Sequence, residues 1–485
     1  MNINNSALRL KREVMIHFVR LFDSGRLPDK LHTIAKTMVP SSQESKSCCI
    51  YHDRAIIEQQ VQSLLGMTLD SIDQEQDLRD LYQDLLAKNN PYHNSKSFQL
   101  NLLSSACHSC QPEKHIITNA CRGCLARPCQ SNCPKDAIYF ENHRAVIDQS
   151  KCINCGRCIN ECSYHAISYI PVPCKAACPV KAIEKDTDGS MKIDKEKCIA
   201  CGKCMSECPF GAIMPRSQLL QLLTWMKEGK EVVAAIAPAI YGQFNSDKAQ
   251  LVSALKALGF THIAAVASGA DLTIKHEAHE LQEKILSQHG PLTSSCCPAY
   301  VLLAKKHIPE LAALVSQTPT PMHYTAEQIK QKWPGSKCVF IGPCIGKIAE
   351  AENDELVDAV LNFEELGALF VARQIEILNQ PSMQNDVLQA SQDAENFANS
   401  GGVGVAVINH LKKLNPDIVV RARTIDGLDK KNIALLKSYT KDQSQWDFTE
   451  VMSCSGGCVG GNCTITSAKT AALRLKKIIE KKTTG

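Results

Sequence analysis

Cysteines in short, regular spacings constrain this chain more than any other feature of its sequence. The chain has 485 residues and 25 cysteines, and 14 of these lie between residues 119 and 215. Two runs, Cys152–Cys162 and Cys198–Cys208, share the spacing Cys-x2-Cys-x2-Cys-x3-Cys. In this spacing three thiolates bind one 4Fe–4S cube and the fourth binds its neighbour. The pattern therefore predicts iron–sulphur clusters rather than zinc sites or disulfides.

Two incomplete motifs turn these runs into an internal repeat. The first motif is looser, with a Cys-x2-Cys-x4-Cys-x3-Cys spacing from Cys121 to Cys133, and the third is truncated to Cys174-x3-Cys178. An Ala-Ile pair follows each of the four motifs, and equivalent pairs are 45 or 46 residues apart. This indicates a duplicated unit of about 45 residues, which resembles tandem bacterial ferredoxin domains.

Pairing the motifs predicts about three accessory 4Fe–4S clusters, each carrying one electron at a time. In the last two motifs, Cys174 and Cys208 remain unassigned. A further cube would need them and two more thiols, which these motifs lack. A nested pairing of the first motif with the fourth would change the ligand sets and still yield three cubes. The three predicted sets are Cys121, Cys124, Cys129 and Cys162; Cys152, Cys155, Cys158 and Cys133; and Cys198, Cys201, Cys204 and Cys178.

Composition gives no sign of a nucleic-acid or membrane partner. Formal net charge is only +4 and aromatic residues make up 5% of the chain. No apolar run approaches the ~20 residues that a membrane span needs, and charges interrupt the apolar positions between Leu8 and Phe22. No signal peptide is predicted from the start of the sequence. We therefore expect a cytoplasmic, reducing location, where clustered cysteines more often bind metal than form disulfides.

Periodicity divides the chain into three predicted regions. Residues 1–118 form a mostly helical N-terminal region of unknown role, with apolar residues at helical spacing in 6–24, 54–66 and 74–87. Its cysteines, Cys48, Cys49, Cys107 and Cys110, fit buried or unpaired thiols as well as metal ligation. Residues 119–215 form the duplicated ferredoxin-like region, which is α+β.

Residues 216–485 are predicted to be an α/β domain with mainly parallel strands. Apolar strand-like runs alternate there with helical stretches, and chemistry is expected in the loops after strands. The residues from Ser467 to Lys482 indicate a basic surface helix. The predicted strands are Val232–Pro238, Ile263–Ala267, Val339–Ile341, Ala359–Phe363 and Ile418–Val420.

Three segments of this domain contain cysteines that do not follow the ferredoxin-like spacing. They are Ser294-Ser295-Cys296-Cys297-Pro298, Gly342-Pro343-Cys344-Ile345-Gly346-Lys347, and Met452-Ser453-Cys454-x-Gly-Gly-Cys458-x-Gly-Gly. Four thiolates from three loops are enough to hold one cube between two lobes, and glycines let the backbone approach a bulky inorganic group. In this order, the segments resemble the signature motifs of FeFe-hydrogenases, in particular the monomeric clostridial-type branch with ferredoxin-like domains.

The resemblance implies an H-cluster, a 4Fe–4S cube bridged to a di-iron subsite with CO, cyanide and dithiolate ligands. Lys347 would donate to one cyanide, the loop of Ala237 and Pro238 would meet the other, and Met452 would pack on the cluster. The implied cube ligands are Cys297, Cys344, Cys454 and Cys458, with Cys458 also bridging to the di-iron subsite.

The resemblance also implies a proton path. Cys296 would exchange protons with the dithiolate amine, and Glu277, Glu280 and Ser316 match the family's path. Glu277, Glu280 and Lys284 share one face of a helix predicted to open near Gly269. On spacing alone, a solvated charged face explains them better, and the link to Cys296 reverses that preference.

Three residues depart from the family pattern. Gly342 stands where many members have Met, Asn462 interrupts a glycine run, and Ser294 replaces a common Thr. They remove no ligand, although they could shift potential, inhibition or catalytic bias. For Cys338 and Cys463, a buried structural thiol is the default interpretation.

The expected function is the reversible reaction 2 H+ + 2 e- = H2. Expected partners are H2, protons, a redox carrier of the ferredoxin type and hydrogenase maturation proteins, with no nucleic acid or membrane. Two alternatives share the scaffold: Narf-like iron–sulphur assembly proteins without the di-iron subsite, and H2 sensors. Cys296, Lys347 and the acids of the proton path favour the enzyme. A plain electron carrier would not need the C-terminal domain.

Overall fold

The protein is a mixed α/β structure with a helical N-terminal region. The computed structural model describes residues 5–42, 44–45, 48–71, 76–87, 98–107, 110–187, 189–382 and 390–481. The three predicted N-terminal helical stretches are confirmed, although the second begins earlier and the third later than predicted. The helices are α1 (Ser6–Asp23), α2 (Leu27–Lys30), α3 (Ile34–Met38), α4 (Ile50–Leu64) and α5 (Leu78–Ala87).

The ferredoxin-like region consists of antiparallel strand pairs linked by helices of four or five residues. The pairs are β1–β8, β2–β5, β3–β4 and β6–β7. Its strands are β1 (Leu100–Leu102), β2 (Lys114–Ile117), β3 (Ile138–Glu141), β4 (Arg144–Ile147), β5 (Ile167–Ile170), β6 (Ile183–Lys185), β7 (Met191–Ile193) and β8 (Ile213–Pro215), and its helices are α6 (Ser104–Cys107), α7 (Pro128–Ser131), α8 (Arg157–Glu161), α9 (Pro173–Ala177) and α10 (Lys203–Glu207).

These pairings divide the region into two units. The first unit, residues 114–170, is closed by β2 against β5. The second unit comprises residues 100–110 and 172–215 and is closed by β1 against β8. Both β1 and β2 lie before residue 119, so the sheet pairs of this region begin earlier than the predicted boundary. The first unit is therefore inserted into the chain of the second.

The C-terminal domain contains two parallel sheets, with strand orders β10-β9-β12-β13 and β11-β15-β14. All pairings between these strands are parallel, as the sequence predicts. The strands are β9 (Val232–Ile236), β10 (His262–Ala265), β11 (Leu292–Thr293), β12 (Lys337–Gly342), β13 (Ala359–Asn362), β14 (Ala422–Asp426) and β15 (Phe448–Met452).

Helices surround both sheets of this domain. They are α11 (Leu219–Lys227), α12 (Ile240–Gln243), α13 (Lys248–Ala257), α14 (Val266–Ser287), α15 (Pro298–His307), α16 (Pro309–Ala312), α17 (Pro321–Lys332), α18 (Gly346–Ala351), α19 (Phe363–Ala372), α20 (Gln392–Glu395), α21 (Gly402–Leu414), α22 (Lys430–Lys441) and α23 (Ala468–Lys481).

One predicted strand is wrong, and one central strand was not predicted. The predicted strand Ile418–Val420 is wrong, because Ile418 and Val420 pack against a hydrophobic cluster without strand pairing, and β14 begins only at Ala422. The central strand β15 was missed because Glu450 interrupts its apolar pattern. That carboxylate is buried and accepts the backbone N–H groups of Gly401 and Gly404, each at 2.8 Å, at the start of α21, where the helix dipole favours negative charge.

The C-terminal helix α23 is more than a surface helix. Ala471 and Leu475 are fully buried, and the helix packs against α12. Lysines cover its opposite face, which explains the basic pattern in the sequence. None of the described helices is long and apolar enough to cross a membrane.

The N-terminal helices are anchored on the C-terminal domain. Helix α1 packs along α19, and the buried Lys11 ammonium lies 2.5 Å from the Glu364 carboxylate. Arg12 donates to the other oxygen of Glu364 at 3.2 Å. A buried charge needs such partners to offset its desolvation, so this ion pair fixes the position of α1.

Candidate active site

The ends of the two parallel sheets meet around one internal cavity of about 90 Å³. Ala237 and Pro238 follow β9, Cys344 follows β12, and Cys454 follows β15. Parallel strands end at the same edge of a sheet, so the loops after them converge there. The structure thus brings together segments that are separated by more than 200 residues.

Four thiols line this cavity together: Cys297, Cys344, Cys454 and Cys458. Burial, together with the neighbouring thiols, raises the pKa of Cys344 to about 11 and that of Cys458 to about 12. Within the described residues, no three His, Cys, Asp or Glu side chains converge on a single-ion site. Four cysteine thiolates are the donor set of a 4Fe–4S cube, so the four side chains fit such a group.

Lys347 is a buried cation at the wall of the cavity. Its ammonium donates to Glu350 Oε2 at 2.7 Å, and Thr320 Oγ1 donates to the other oxygen of Glu350 at 2.5 Å. Burial alone would lower the pKa of Lys347, but Glu350 and the nearby thiols outweigh burial and the pKa is raised. Lys347 therefore stays charged and can offer a strong donor.

The rest of the wall is mainly apolar. Ala237, Pro238 and Met452 line it, as the sequence predicts for residues that meet the cofactor. Phe340 lines it as well, and a Cβ on Gly342 would overlap the Phe340 ring. The missing side chain at residue 342 is thus replaced in space by the ring of Phe340, two residues earlier in β12.

Cys296 and Glu277 lie on the α14 side of the cavity. Cys296 is partly exposed, and the space it faces is the cavity. Glu277 is fully buried and accepts the backbone N–H of Ser295 at 3.0 Å. Burial raises the pKa of Glu277 to about 8. The alternative of a solvated charged face is therefore wrong for this residue.

Hydrogen bonds continue from this pair towards the surface. The Ser316 hydroxyl lies against Glu277 and donates to Glu280 Oε2 at 2.6 Å. Glu280 is half-buried and also accepts from Thr318 Oγ1 at 3.3 Å and from the N–H of the exposed Gln317 at 3.2 Å. The predicted members of the path thus lie in sequence from the cavity to solvent.

No sequence pattern singled out Phe340, Thr318 or Thr320, and all three contribute to the site. Thr320 is the N-cap of α17, where its hydroxyl accepts the N–H of His323. A Thr-Pro pair before a helical stretch is a recognisable cap, so this position was findable. Nothing in the sequence signals that the same hydroxyl supports Glu350 and, through it, Lys347.

The family follows from sequence comparison. A family profile described as "Iron only hydrogenase large subunit, C-terminal domain" matches residues 230–462. A "4Fe-4S binding domain" profile matches residues 145–168 and 191–214. Residues 230–462 of the chain therefore belong to the iron-only hydrogenase family. The resemblance carried by its three C-terminal segments is confirmed at this level.

Several characterised proteins are similar to this hydrogenase-family chain. Iron hydrogenase 1 of Clostridium pasteurianum is 28% identical over 399 residues, which cover 69% of this chain and 68% of that protein. The periplasmic Fe hydrogenase large subunit of Nitratidesulfovibrio vulgaris is 28% identical, over 66% of this chain and 86% of that protein. The cytosolic Fe-S cluster assembly factor NAR1 of Kluyveromyces lactis is 22% identical, over 42% and 59%.

Solved structures of FeFe-hydrogenases also match. One from Chlamydomonas reinhardtii is 21% identical and covers 54% of this chain and 88% of that chain, with a TM-score of 0.43.

The accessory cysteines lie close to one another in three sets of four. Burial raises the pKa of one buried thiol in each group, and the other three thiols of that group raise it further. The central thiols are Cys129, with Cys124, Cys162 and Cys121; Cys158, with Cys152, Cys155 and Cys133; and Cys204, with Cys201, Cys198 and Cys178. This geometry favours pairing of adjacent motifs over the nested alternative.

Asn462 joins the second unit to the active-site cavity. Its amide donates to the carbonyl oxygen of Cys201 and to Cys454 Sγ, the latter at 3.8 Å. The Ser206 hydroxyl holds the amide oxygen at 2.7 Å. Cys201 itself lines the cavity. The departure from a glycine at residue 462 therefore links a predicted accessory cube to the predicted active-site cube.

Cys338, Cys463, Cys48 and Cys49 lie outside these groups. Cys338 is buried in β12 and Cys463 is buried close to Lys11, which fits structural thiols. Cys48 lies at the surface, where its sulphur is 3.8 Å from that of Cys49.

Proposed function

We propose that this chain catalyses the reversible reaction 2 H+ + 2 e- = H2. The observation that carries the proposal is the acid and hydroxyl chain from Cys296 through Glu277 and Ser316 to Glu280. It runs from the four-thiol cavity to the half-buried Glu280, which lies beside the exposed Gln317. An iron–sulphur protein that only stores or transfers electrons has no need of a proton path into its cube.

The residues of the cavity fit the H-cluster. When bound, the H-cluster supplies the redox centre at which protons and electrons combine. Cys297, Cys344, Cys454 and Cys458 would hold it, with Cys458 as the bridging ligand. Lys347, fixed by Glu350, would orient it through a charged hydrogen bond. Phe340 and Met452 keep water away from it.

Proton movement is assigned to four side chains. The thiol of Cys296 holds a proton at Sγ facing the cavity. Glu277 holds one at its carboxyl group below pH 8, since its pKa is about 8. The hydroxyl of Ser316 passes a proton between Glu277 and Glu280, and Glu280 exchanges it with water. A carrier whose pKa is close to neutral suits transfer in both directions.

Electrons would reach the cavity through the accessory cubes, the last being the cube of Cys178, Cys198, Cys201 and Cys204. A ferredoxin-type carrier is the proposed redox partner, and maturation proteins would insert the di-iron subsite. We place the protein in the cytoplasm, where a reducing environment keeps clustered thiols available to bind metal.

The similarity to NAR1 supports a second candidate, an iron–sulphur assembly factor without the di-iron subsite. Its range of similarity, 42% of this chain, is narrower than that of the hydrogenases. A hydrogen sensor is the third candidate. Cys296, Lys347 and the path through Glu277 favour turnover over both.

The deciding experiment installs a synthetic di-iron dithiolate complex into anaerobically reconstituted protein. Infrared bands of iron-bound CO and cyanide would report insertion, and hydrogen release with reduced viologen would report turnover. Cys296→Ala should keep the bands and lose turnover. Cys338→Ala, which removes a buried thiol outside the cavity, is the matched control and should keep both.

The other outcomes identify the competing functions. Bands without hydrogen in the unmodified protein would favour a sensor. Absence of bands with all cubes intact would favour the assembly factor and overturn the proposal.

A further inference from the structure

Four cysteines without an assigned role converge in the second unit. Cys174 and Cys208 are the pair left over by motif spacing, and Cys107 and Cys110 come from the region upstream of the first motif. Burial, together with the neighbouring Cys208, Cys107 and Cys110, raises the pKa of Cys174 to about 12. Cys107 and Cys174 are each 5% exposed. Cys107 and Cys110 therefore lie beside Cys174 and Cys208, the pair that lacked two further ligands for a cube.

The strand pairing explains why they meet. In the first unit, the N–H of Thr118 just after β2 donates to the Ala166 oxygen at 2.7 Å. In the second unit, the N–H of Leu103 just after β1 donates to the Ala212 oxygen, also at 2.7 Å. Ala166 and Ala212 close equivalent motifs. Strand β1 thus holds in the second unit the place that β2 holds in the first, and each strand leads into a Cys-x2-Cys pair.

The first thiol of each pair also receives an equivalent hydrogen bond. Cys121 Sγ accepts the N–H of Ala145 at 3.5 Å, and Cys107 Sγ accepts the N–H of Met191 at 3.3 Å. Ala145 lies in β4 and Met191 in β7, each two residues before the isoleucine that ends its strand. The 46-residue offset between them is the offset of the repeat. Cys107 therefore matches Cys121, and by the same spacing Cys110 matches Cys124.

The remaining thiols match as well. Cys129 and Cys174 are each the second residue of a short helix, α7 and α9. Cys162 Sγ and Cys208 Sγ each accept the N–H of the alanine four residues later, both at 3.4 Å. All four thiols of the first predicted cube thus have a counterpart in the second unit. Backbone donors to sulphur are the surroundings that tune a bound cluster.

We propose that Cys107, Cys110, Cys174 and Cys208 hold a fourth accessory 4Fe–4S cube. Each unit then carries two cubes, and the first unit is inserted between the two halves of one ligand set, after Cys110 and before Cys174. A set of merely buried thiols would not reproduce both the strand register and the N–H···S bonds of a complete cube site. This proposal concerns cluster content and holds whether or not the chain turns over hydrogen.

The test counts iron in the full-length protein reconstituted anaerobically with iron and sulphide, without the di-iron subsite. Five cubes would give about twenty irons per chain, whereas three accessory cubes and the active-site cube would give about sixteen. The double variant Cys107→Ser/Cys110→Ser should lose about four irons and one electron of reducing capacity. The matched control Cys48→Ser/Cys49→Ser changes a surface pair and should lose neither.

A milder variant separates ligand loss from misfolding. Cys110 is only partly buried, so Cys110→Ser alone should fold and convert one cube to a three-iron cluster, visible by EPR in the oxidised protein. Cys208→Ser should give the same new signal. About sixteen irons in the unmodified protein, or a Cys110→Ser protein with full iron and no three-iron signal, would overturn the proposal.

Discussion

The two ferredoxin-like units share one strand plan and have opposite surroundings. Ile153 in the first unit and Ile199 in the second occupy the same place after the first cysteine of their motifs, 46 residues apart. Ile153 is 57% exposed and Ile199 is 1% exposed. Ile199 packs against Tyr300 and Leu303 of the C-terminal domain. The repeat has thus been divided into an outer unit facing solvent and an inner unit facing the cavity.

Polar contacts reinforce this division. The Lys306 ammonium donates to the Cys198 oxygen at 2.8 Å, and the Lys203 ammonium donates to the Leu428 oxygen at 2.6 Å. In the outer unit, by contrast, Leu125 is 98% exposed and Cys155 lies at the surface. Under the proposed function, this difference would give the duplicated unit a direction. The outer copy would be open to a redox partner, and the inner copy would lie beside the site that uses the electrons.

The largest effect should come from breaking the inner relay. Cys201→Ser should lower hydrogen production with reduced viologen by about a thousandfold, or about 4 kcal/mol in the barrier, because electrons must pass the cube beside the cavity. Cys155→Ser in the outer unit should change the rate less than threefold, since a small reductant can reach the remaining cubes. Equal losses in the two variants would end the assignment of inner and outer roles.

The matched isoleucines test the packing difference directly. Ile199→Ala should reduce the free energy of unfolding by about 3 kcal/mol, the usual cost of a cavity at a buried isoleucine. Ile153→Ala should stay within about 0.5 kcal/mol, as expected for an exposed position. Denaturant titration of the reconstituted protein measures both. A similar loss in the two variants would show that the outer unit is also packed against a partner surface.

A third change separates proton supply from electron supply. Glu277→Gln should lower hydrogen production about a hundredfold, with all cubes still reducible, because the amide cannot carry the proton. Glu283→Gln, on the exposed face of the same helix, should have no effect.

In the unmodified protein, hydrogen production should fall as pH rises through about 8, because Glu277 loses its proton there. The groups that face Glu277 are Glu280, Cys296, Ser295 and Ser316. Rates measured from pH 6 to 10 should lose this decline in Glu277→Gln. A decline that persists unchanged would assign the titration to another group.

The smallest effect is expected at the junction of inner unit and cavity. Asn462→Ala removes the amide that joins the Cys201 oxygen to the Cys454 sulphur and should cost about 1–2 kcal/mol of stability. It should also shift the potential of one cube, because a donor near sulphur is lost. Asn154→Ala in the outer unit, whose amide bonds to His115 and to the Glu113 oxygen, should leave the active-site cube unshifted in a redox titration followed by EPR.

Local spacing predicted much of this molecule. Each Cys-x2-Cys run, each C-terminal segment and the pair of acids in α14 is a short pattern. The residues that define each pattern lie within a few positions of one another, so the sequence alone reveals it. The parallel strands β9, β12 and β13 were equally readable from unbroken apolar runs.

Long-range partners were beyond the same reasoning. Cys110 lies 64 residues before Cys174, and no spacing rule connects two such cysteines across another folded unit. Strand β15 was not predicted because a buried Glu450 is unexpected in a strand. Its carboxylate is stabilised by N–H groups at the start of α21, and only the fold brings them to it. The exchange of a side chain at Gly342 for the ring of Phe340 depends on packing, which a pattern of residue types does not contain.

The inserted first unit has a consequence for how the chain assembles. Its two ends, Lys114 and Ile170, are partners in one strand pair, so they lie about 5 Å apart. Once folded, these 57 residues therefore bridge only a short, fixed distance between the two parts of the second unit. During synthesis, the first unit is completed before the second unit is, so it can fold first. The long sequence separation between Cys110 and Cys174 then adds little to the entropy of closing the host.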